Sequence, residues 1–294
     1  MWCALASFVL ARRSGGRFAL RIEDIDGPRI VAGSEARILQ DLRTLGLSWD
    51  EHPGGPHAPY TQSARAPLYE AVLEELERRG LTYPCDCSRA EIARVASAPH
   101  GEEVIYPGIC RDKPRARSMK RSPALRLRVA SGTSVRFVDL ARAEVTQRVD
   151  TAVGDFVLRR GDGLFAYQLA CAVDDAAMEI DVVIRGSDLL ASTPRQLLLL
   201  ELLGAEARPS YLHLPLVVTP GGERLAKRTR GTTIRELLAL GVSSEEILGG
   251  LAYGLGLATS PAPASAEELS RPELGVPARW PVEPFLVPRA WLSP

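Results

Sequence analysis

The stretch VVIRGSDLLASTPRQLLLLELL, residues 182–203, contains the two kinds of element that decide the fold. Its first three residues are β-branched and are typical of a short buried strand. Further on, Thr193, Pro194 and Gln196 have the spacing of a capped helix start, with threonine as the cap. Gly204 predicts the end of that helix. A strand that leads into a helix is the repeating unit of an α/β domain.

The same alternation recurs along the chain. We predict further strands over 17–22, 156–158 and 213–218, and helices over 34–45, 68–79, 234–240 and 245–253. Segment 165–173 fits either a strand or a helix. The 294 residues suffice for one or two domains, and the pattern predicts an α/β fold with a mostly parallel sheet. The proline-rich segment 259–294 lacks periodicity and is predicted to be a loosely packed tail.

The apolar run Trp2–Ala11 is about half as long as the roughly 20 residues that a membrane span needs. Arg12 and Arg13 follow this run, whereas a signal peptide carries its positive charge before the apolar core. We therefore predict an amphipathic helix with both arginines in solvent. The residues expected to pack against the sheet are Leu5, Phe8 and Val9.

Charge and cysteine content limit the class of protein. Lys+Arg and Asp+Glu both number 36, so net charge gives no argument for a nucleic-acid or membrane partner. Segment 111–128 has eight basic residues and one acid, which suits either a phosphate-backbone contact or a solvated loop. Five unevenly spaced cysteines argue against a disulfide scaffold and favour the cytoplasm.

Three cysteines lie in one segment of unusual composition. Cys85, Cys87 and Cys110 supply three thiolates, and His100 or Tyr106 can supply the fourth ligand of a tetrahedral site. Their chance proximity is the alternative. Because the segment has few apolar residues, we expect a structural zinc ion there.

Three polar residues are candidates for binding a small substrate. Glu23 and Arg185 each follow a predicted strand, where ligands bind in open α/β sheets, and Tyr167 offers a hydroxyl group. Arginine can hold a carboxylate through two parallel hydrogen bonds. The structural alternatives are a surface ion pair for Glu23 and a core aromatic role for Tyr167. For Arg185 the alternative is a buried ion pair with Asp188.

Several segments, in this order, resemble the glutamyl branch of the class I aminoacyl-tRNA synthetases over about residues 1–255. They are RIEDIDGPR (21–29), FAYQLACAVDD (165–175), VVIRGSDLLASTPRQ (182–196) and LHLPLVVTPGGERLAKR (212–228). The cysteine cluster and the short stretch after Lys227 are most similar to one shortened family of this branch, the glutamyl-queuosine tRNA(Asp) synthetases. The resemblance implies an α/β fold: a Rossmann-like catalytic domain with a small zinc-containing insertion and a short helical C-terminal part.

The resemblance also implies a division of the chain. Its parts are the first half of the catalytic domain (1–80), the zinc-binding insertion (81–128), the second half of the catalytic domain (129–223), a lysine-serine-like loop with helices (224–258) and the proline-rich tail (259–294).

The family's site residues carry over by matching position. The resemblance implies that Glu23, Tyr167 and Arg185 bind glutamate and that Lys227 is the catalytic residue that binds ATP. It makes Tyr106 the fourth zinc ligand beside the three cysteines. ATP, with Mg²⁺, would activate glutamate as the adenylate, and the glutamyl group would pass to queuosine in the anticodon of tRNA(Asp). We expect a cytoplasmic monomer with no membrane partner.

Two departures from the family pattern weaken this expectation. Ala226 replaces the serine of the lysine-serine loop, and the signature turn expected before Trp2 is absent; the similar His52-Pro53-Gly54-Gly55 lies in the wrong place. We therefore expect the chain as given to be poorly active and less stable than a longer form. An N-terminally truncated glutamyl-tRNA synthetase and a non-catalytic zinc-containing relative that binds RNA or an amino acid remain alternatives.

Overall fold

A computed structural model describes residues 1–52, 54–95, 105–206, 208–223, 233–288 and 291. Its helices are α1 (Trp2–Arg13), α2 (Ser34–Thr44), α3 (Ala66–Arg78), α4 (Arg89–Val95), α5 (Val149–Ala152), α6 (Tyr167–Ala177), α7 (Thr193–Leu202), α8 (Ile234–Ala239), α9 (Ser244–Gly254) and α10 (Ala266–Leu269). Its strands are β1 (Thr82–Cys85), β2 (Ala124–Leu127), β3 (Ser134–Asp139), β4 (Ala143–Arg148), β5 (Val157–Arg159), β6 (Val182–Gly186), β7 (Ser210–Leu214), β8 (Val217–Val218) and β9 (Phe285–Leu286).

A four-stranded sheet with the order β4-β3-β7-β6 is the centre of the fold. Strands β3 and β4 form an antiparallel hairpin, whereas β7 pairs in parallel with both β3 and β6. The parallel register places Arg185 of β6 directly opposite His213 of β7. The carboxyl ends of β3, β7 and β6 therefore lie side by side, and the prediction of an α/β fold is confirmed.

Two smaller sheets complete the structure. Strands β1, β2 and β5 form an antiparallel sheet that joins the cysteine-containing segment to the rest of the chain. Strands β8 and β9 pair in parallel and bring the C-terminal segment back beside the residues that follow β7. The predicted strand over 213–218 is thus two strands with a break between them.

In the first helix, the predicted apolar face is buried, but one of the two arginines predicted to reach solvent is not exposed. Leu5 and Val9 are fully buried in the main core cluster, and Phe8 is nearly so. Arg12 is partly exposed and pairs with Asp50 at 2.6 Å. The expectation that Arg13 reaches solvent is wrong, because its side chain is buried and donates to three backbone carbonyl groups. The carbonyl groups belong to Leu257, Leu269 and Gly275.

Some predicted elements differ in the structure. Residues 17–22 form only single bridges, at Ala19 and Ile22, because the chain bonds there to irregular segments and not to a long strand. Segment 165–173 is helical from Tyr167 onward. In α2, Leu42 is buried, whereas Ile38 is 46% exposed.

The C-terminal segment is not a loosely packed tail. The Phe285 ring stacks on Trp2 with a centroid distance of 4.8 Å, and Trp280 is buried in the main core. A capping box at Ser265 begins α10, which also buries an apolar face. The prediction from proline content is therefore wrong, because aromatic residues of this segment are buried against the core and hold the segment in place.

No helix among the described residues is long and apolar enough to cross a lipid bilayer.

The three carbonyl groups around Arg13 generate a prediction about stability. Arg13→Met keeps most of the apolar stem but leaves buried acceptors without a donor, which costs roughly 1–3 kcal/mol for each group that water does not reach. We expect the free energy of unfolding in urea to fall by about 3 kcal/mol. The matched control Arg12→Met removes a partly exposed pair and should cost about 1 kcal/mol or less. Equal losses in the two variants would contradict this account of Arg13.

Candidate functional site

The side chain of Arg185 lies at the carboxyl end of β6 and is only 7% exposed. Its guanidinium group donates from Nε to His213 Nε2 at 3.1 Å and from Nη1 to Gln196 Oε1 at 2.7 Å. Nη2 donates to Thr193 Oγ1 at 2.7 Å, and Nη1 lies 3.4 Å from the Tyr167 hydroxyl oxygen. All four partners are neutral acceptors, so these contacts fix the position of the charge but do not neutralise it.

Two of these partners come from the start of α7. The sequence predicted Thr193 as the helix cap and Gln196 as its reciprocal partner, but Ser192 precedes the helix and no side-chain cap forms. Thr193 and Gln196 are both fully buried and turn their polar atoms toward Arg185. The capping prediction is therefore wrong, because a buried guanidinium group uses the oxygens instead of the helix terminus.

Tyr167 and Glu23 lie on the other side of Arg185. Tyr167 is the first residue of α6, and burial raises the pKa of its hydroxyl well above the ordinary value, which keeps it protonated. One turn later, the Cys171 thiol lies 3.4 Å from Glu23 Oε1. The structure thus places the three predicted glutamate-binding residues along one continuous path, with Cys171 as the link that sequence reasoning did not include.

Arg21 and Asp175 form a second charged pair in this region. Arg21 Nη1 lies 2.8 Å from Asp175 Oδ1, and its Nη2 lies 3.3 Å from Glu23 Oε1. The surface ion-pair alternative for Glu23 is therefore present, with Glu23 still 42% exposed at its side chain. These three charged residues line a cavity of about 280 Å³ between α1 and β6.

The Asp188 side chain closely approaches the glycine that follows Arg185. A Cβ atom at Gly186 would lie 2.4 Å from Asp188 Oδ1, so any other residue there would force the Asp188 carboxylate to move.

A second candidate site lies in the cysteine-containing segment. The Sγ atoms of Cys85, Cys87 and Cys110 all lie within 4.8 Å of one another, and those of Cys87 and Cys110 are 3.5 Å apart. The Tyr106 hydroxyl oxygen is 3.3 Å from Cys85 Sγ and 3.8 Å from Cys87 Sγ. Two thiolates that share one tetrahedral zinc ion lie about 3.8 Å apart, so the four groups have the spacing of a metal centre.

Most charges of the basic segment 111–128 are already paired within the chain. Arg117 bonds to the buried carboxylate of Asp86 at 2.7 Å, and Lys120 and Arg121 both reach Glu91. The other ion pairs of this segment join Arg111 to Asp155, Arg115 to Glu77 and Arg128 to Asp112. The segment therefore offers a phosphate backbone less free charge than its composition indicates.

Two residues predicted from the sequence lie outside the described residues. They are Lys227, predicted to bind ATP, with its neighbours Arg224 and Ala226, and His100, the alternative fourth zinc ligand.

Comparison with known proteins decides the family. Residues 2–267 match the family described as tRNA synthetases class I (E and Q), catalytic domain. The chain is 47% identical over 296 aligned positions to a Glutamyl-Q tRNA(Asp) synthetase of Symbiobacterium thermophilum, with 97% of this chain and 90% of that protein covered. The chain belongs to the glutamyl-Q tRNA(Asp) synthetase family. A relative of the same name from Nocardia farcinica is 44% identical, and the alignment covers 97% of this chain and 86% of that protein.

Solved structures support the class I fold of this family. The glutamate-tRNA synthetase of Elizabethkingia anophelis superimposes with a TM-score of 0.81 at 26% identity and covers 98% of this chain. A glutamate tRNA ligase of Elizabethkingia meningosepticum, in complex with its amino acid, gives a TM-score of 0.77 at 27% identity over 92% of this chain. The chain spans only 64% and 60% of these two proteins, respectively.

Proposed function

We propose that this chain activates glutamate with ATP and transfers the glutamyl group to queuosine in the anticodon of tRNA(Asp). The observation that carries the proposal is similarity over 97% of the chain to relatives that bear the name Glutamyl-Q tRNA(Asp) synthetase. The geometry at the carboxyl end of β6 supports the amino-acid part of the reaction. We also propose that the protein acts as a cytoplasmic monomer.

The surroundings of Arg185 suit a carboxylate. A buried charge is costly unless an opposite charge accompanies it, and the four partners of this guanidinium group are neutral. A carboxylate of glutamate would supply the missing charge through strong charge-assisted hydrogen bonds. Tyr167 would donate its hydroxyl hydrogen, and Glu23 would receive the ammonium group of the substrate.

ATP would bind with the help of Lys227, whose ammonium group would stabilise negative charge on the phosphates as it develops. In the first step a carboxylate oxygen of glutamate attacks the α-phosphorus of ATP, the bond from that phosphorus to the bridging oxygen breaks, and pyrophosphate leaves. In the second step a hydroxyl group of queuosine attacks the carbonyl carbon of the adenylate, and AMP leaves.

The cysteine cluster fits a zinc ion held by Cys85, Cys87, Tyr106 and Cys110. Three cysteine side chains and an oxygen donor make a closed set of four ligands, which is typical of structural zinc. Outside these ligands, the described apolar residues of the cluster are the buried Tyr83 and the partly buried Ile92 and Ile109. The ion would therefore stabilise the fold of this segment, which leads through β1 and β2 into the catalytic half.

Metal analysis of the purified protein tests the zinc site. We expect about one zinc ion per chain, and Cys110→Ser should remove most of it, because a neutral hydroxyl group is a poor substitute for a thiolate. The control Cys3→Ser changes a half-buried cysteine outside the cluster and should keep the metal. Wild-type protein with far less than one zinc per chain and freely alkylated thiols would contradict the proposal.

Transfer of labelled glutamate tests the acceptor. We expect label on tRNA(Asp) that contains queuosine and none on the same tRNA(Asp) prepared without queuosine, because the reacting hydroxyl belongs to the modified base. Charging of tRNA(Glu) would favour the truncated glutamyl-tRNA synthetase instead. RNA binding without formation of the adenylate would favour the non-catalytic relative.

A further inference from the structure

Three buried side chains form a row across three neighbouring strands of the central sheet. Asp139 ends β3, His213 lies near the end of β7, and Arg185 lies near the end of β6. Asp139 Oδ2 is 2.6 Å from His213 Nδ1, and His213 Nε2 is 3.1 Å from Arg185 Nε. Asp139 and His213 are 1% and 0% exposed, so water does not compete for these hydrogen bonds.

Arg185 determines where the protons of this row lie. A guanidinium group has only donors, so His213 Nε2 must accept from Arg185 Nε. The neutral imidazole then carries its proton on Nδ1 and donates it to Asp139. A proton on Nε2 would set its N–H against the N–H of Arg185 Nε and would leave Thr193 Oγ1, 3.1 Å away, as its acceptor among the described residues, although that oxygen already accepts from Arg185 Nη2.

Asp139 is suited to hold that tautomer. Its Oδ1 accepts from the backbone amides of Ala141 and Arg142, and its Oδ2 accepts from the backbone amide and Nδ1 of His213. Burial raises the pKa of Asp139, but the hydrogen bonds from His213 and Ala141 outweigh burial and hold the pKa below its ordinary value. The carboxylate therefore stays ionised and only accepts.

The row of Asp139, His213 and Arg185 fixes which N–H groups of the guanidinium group remain available to a substrate. Nε is occupied by His213, and the four contacts together leave one N–H of Nη2 without a partner among the described residues. The charge of Arg185 also acts on the buried carboxylate of Asp175. A guanidinium group released from His213 would be free to turn, and its charge would then no longer face the carboxylate of the substrate.

We propose that Asp139 and His213 are positioning residues for glutamate, which lock Arg185 so that its remaining N–H and its charge face a carboxylate of the substrate. This inference rests on the proposed function for its substrate. Neither residue touches glutamate in this arrangement, and both act through Arg185.

Asp139→Asn tests the row without a change in side-chain size. An asparagine has one acceptor oxygen, which would satisfy the two amides of Ala141 and Arg142. Its NH₂ group would then face His213 Nδ1 and the backbone N–H of residue 213, which loses its acceptor. His213 Nδ1 would then have to accept a hydrogen bond, so the ring proton would move to Nε2, where it would point at the N–H of Arg185 Nε. We expect the KM for glutamate in ATP–pyrophosphate exchange to rise roughly 10- to 100-fold, the range seen for lost partners behind a ligating side chain. The KM for ATP should change by about twofold or less.

His213→Gln supplies the decisive comparison. The glutamine oxygen can accept from Arg185 Nε, and a glutamine side chain, unlike an imidazole ring, has no second tautomer for Asp139 to select. Asp139→Asn should therefore raise the glutamate KM much less in the His213→Gln background than in the wild type, because only the lost acceptor of the residue 213 backbone amide remains. A purely structural role of Asp139 would instead give the same loss in both backgrounds, and that outcome would overturn the proposal. Asp155→Asn, at a buried aspartate bonded to Tyr83 and Arg111, is the matched control and should not change the glutamate KM selectively.

Nitrogen-15 NMR of histidine-labelled protein reads the tautomer directly. The chain has four histidines, so the His213 signals can be assigned from the His213→Gln spectrum. We expect Nδ1 protonated and Nε2 unprotonated in the wild type, and the reverse in Asp139→Asn. A wild-type ring protonated at Nε2 would overturn the inference. This readout needs no turnover, so absence of glutamate-dependent exchange in the wild type would count against the proposed function and not against the row itself.

Discussion

A buried guanidinium group whose direct contacts among the described residues are all neutral is the constraint on which this structure depends. Hydroxyl, amide and imidazole acceptors hold Arg185 in place, but none of them carries a negative charge in direct contact with the guanidinium group. A buried charge without an anion lowers stability by several kcal/mol, and a substrate carboxylate relieves that cost when it binds. The site therefore favours an acidic ligand before any contact with its remaining atoms is considered.

The fold brings the acceptors to Arg185 from distant parts of the chain. Thr193 and Gln196 come from the first turn of α7, which a 3₁₀ helix over Ser187–Ser192 separates from the strand that carries the arginine. Tyr167 comes from the first turn of α6. His213 comes from the neighbouring parallel strand, where the register sets it opposite Arg185. Parallel strands whose carboxyl ends share one edge make this convergence possible, and the same edge is where open α/β sheets bind their ligands.

The sequence predicted the frame of this site well. Strand β6, helix α7, the buried face of α1 and the approach of the three cysteines all follow from local pattern, because burial and spacing act over a few residues. The roles of Thr193 and Gln196 were misread, because a capping pattern looks the same whether its oxygens bond to the helix or to a guanidinium group elsewhere. Asp139 and His213 carried no local signal, since only the pairing of β3 with β7 brings them together. Arg13 was misplaced for the same reason, as its carbonyl partners lie more than 240 residues away.

A crystal structure with glutamate, or with a stable analogue of its adenylate, tests the central claim most directly. The account predicts a ligand carboxylate oxygen within about 3 Å of Arg185 Nη2, with the contact from Nε to His213 retained. A glutamate bound elsewhere, or a guanidinium group that has left His213 and turned to Asp175, would contradict it.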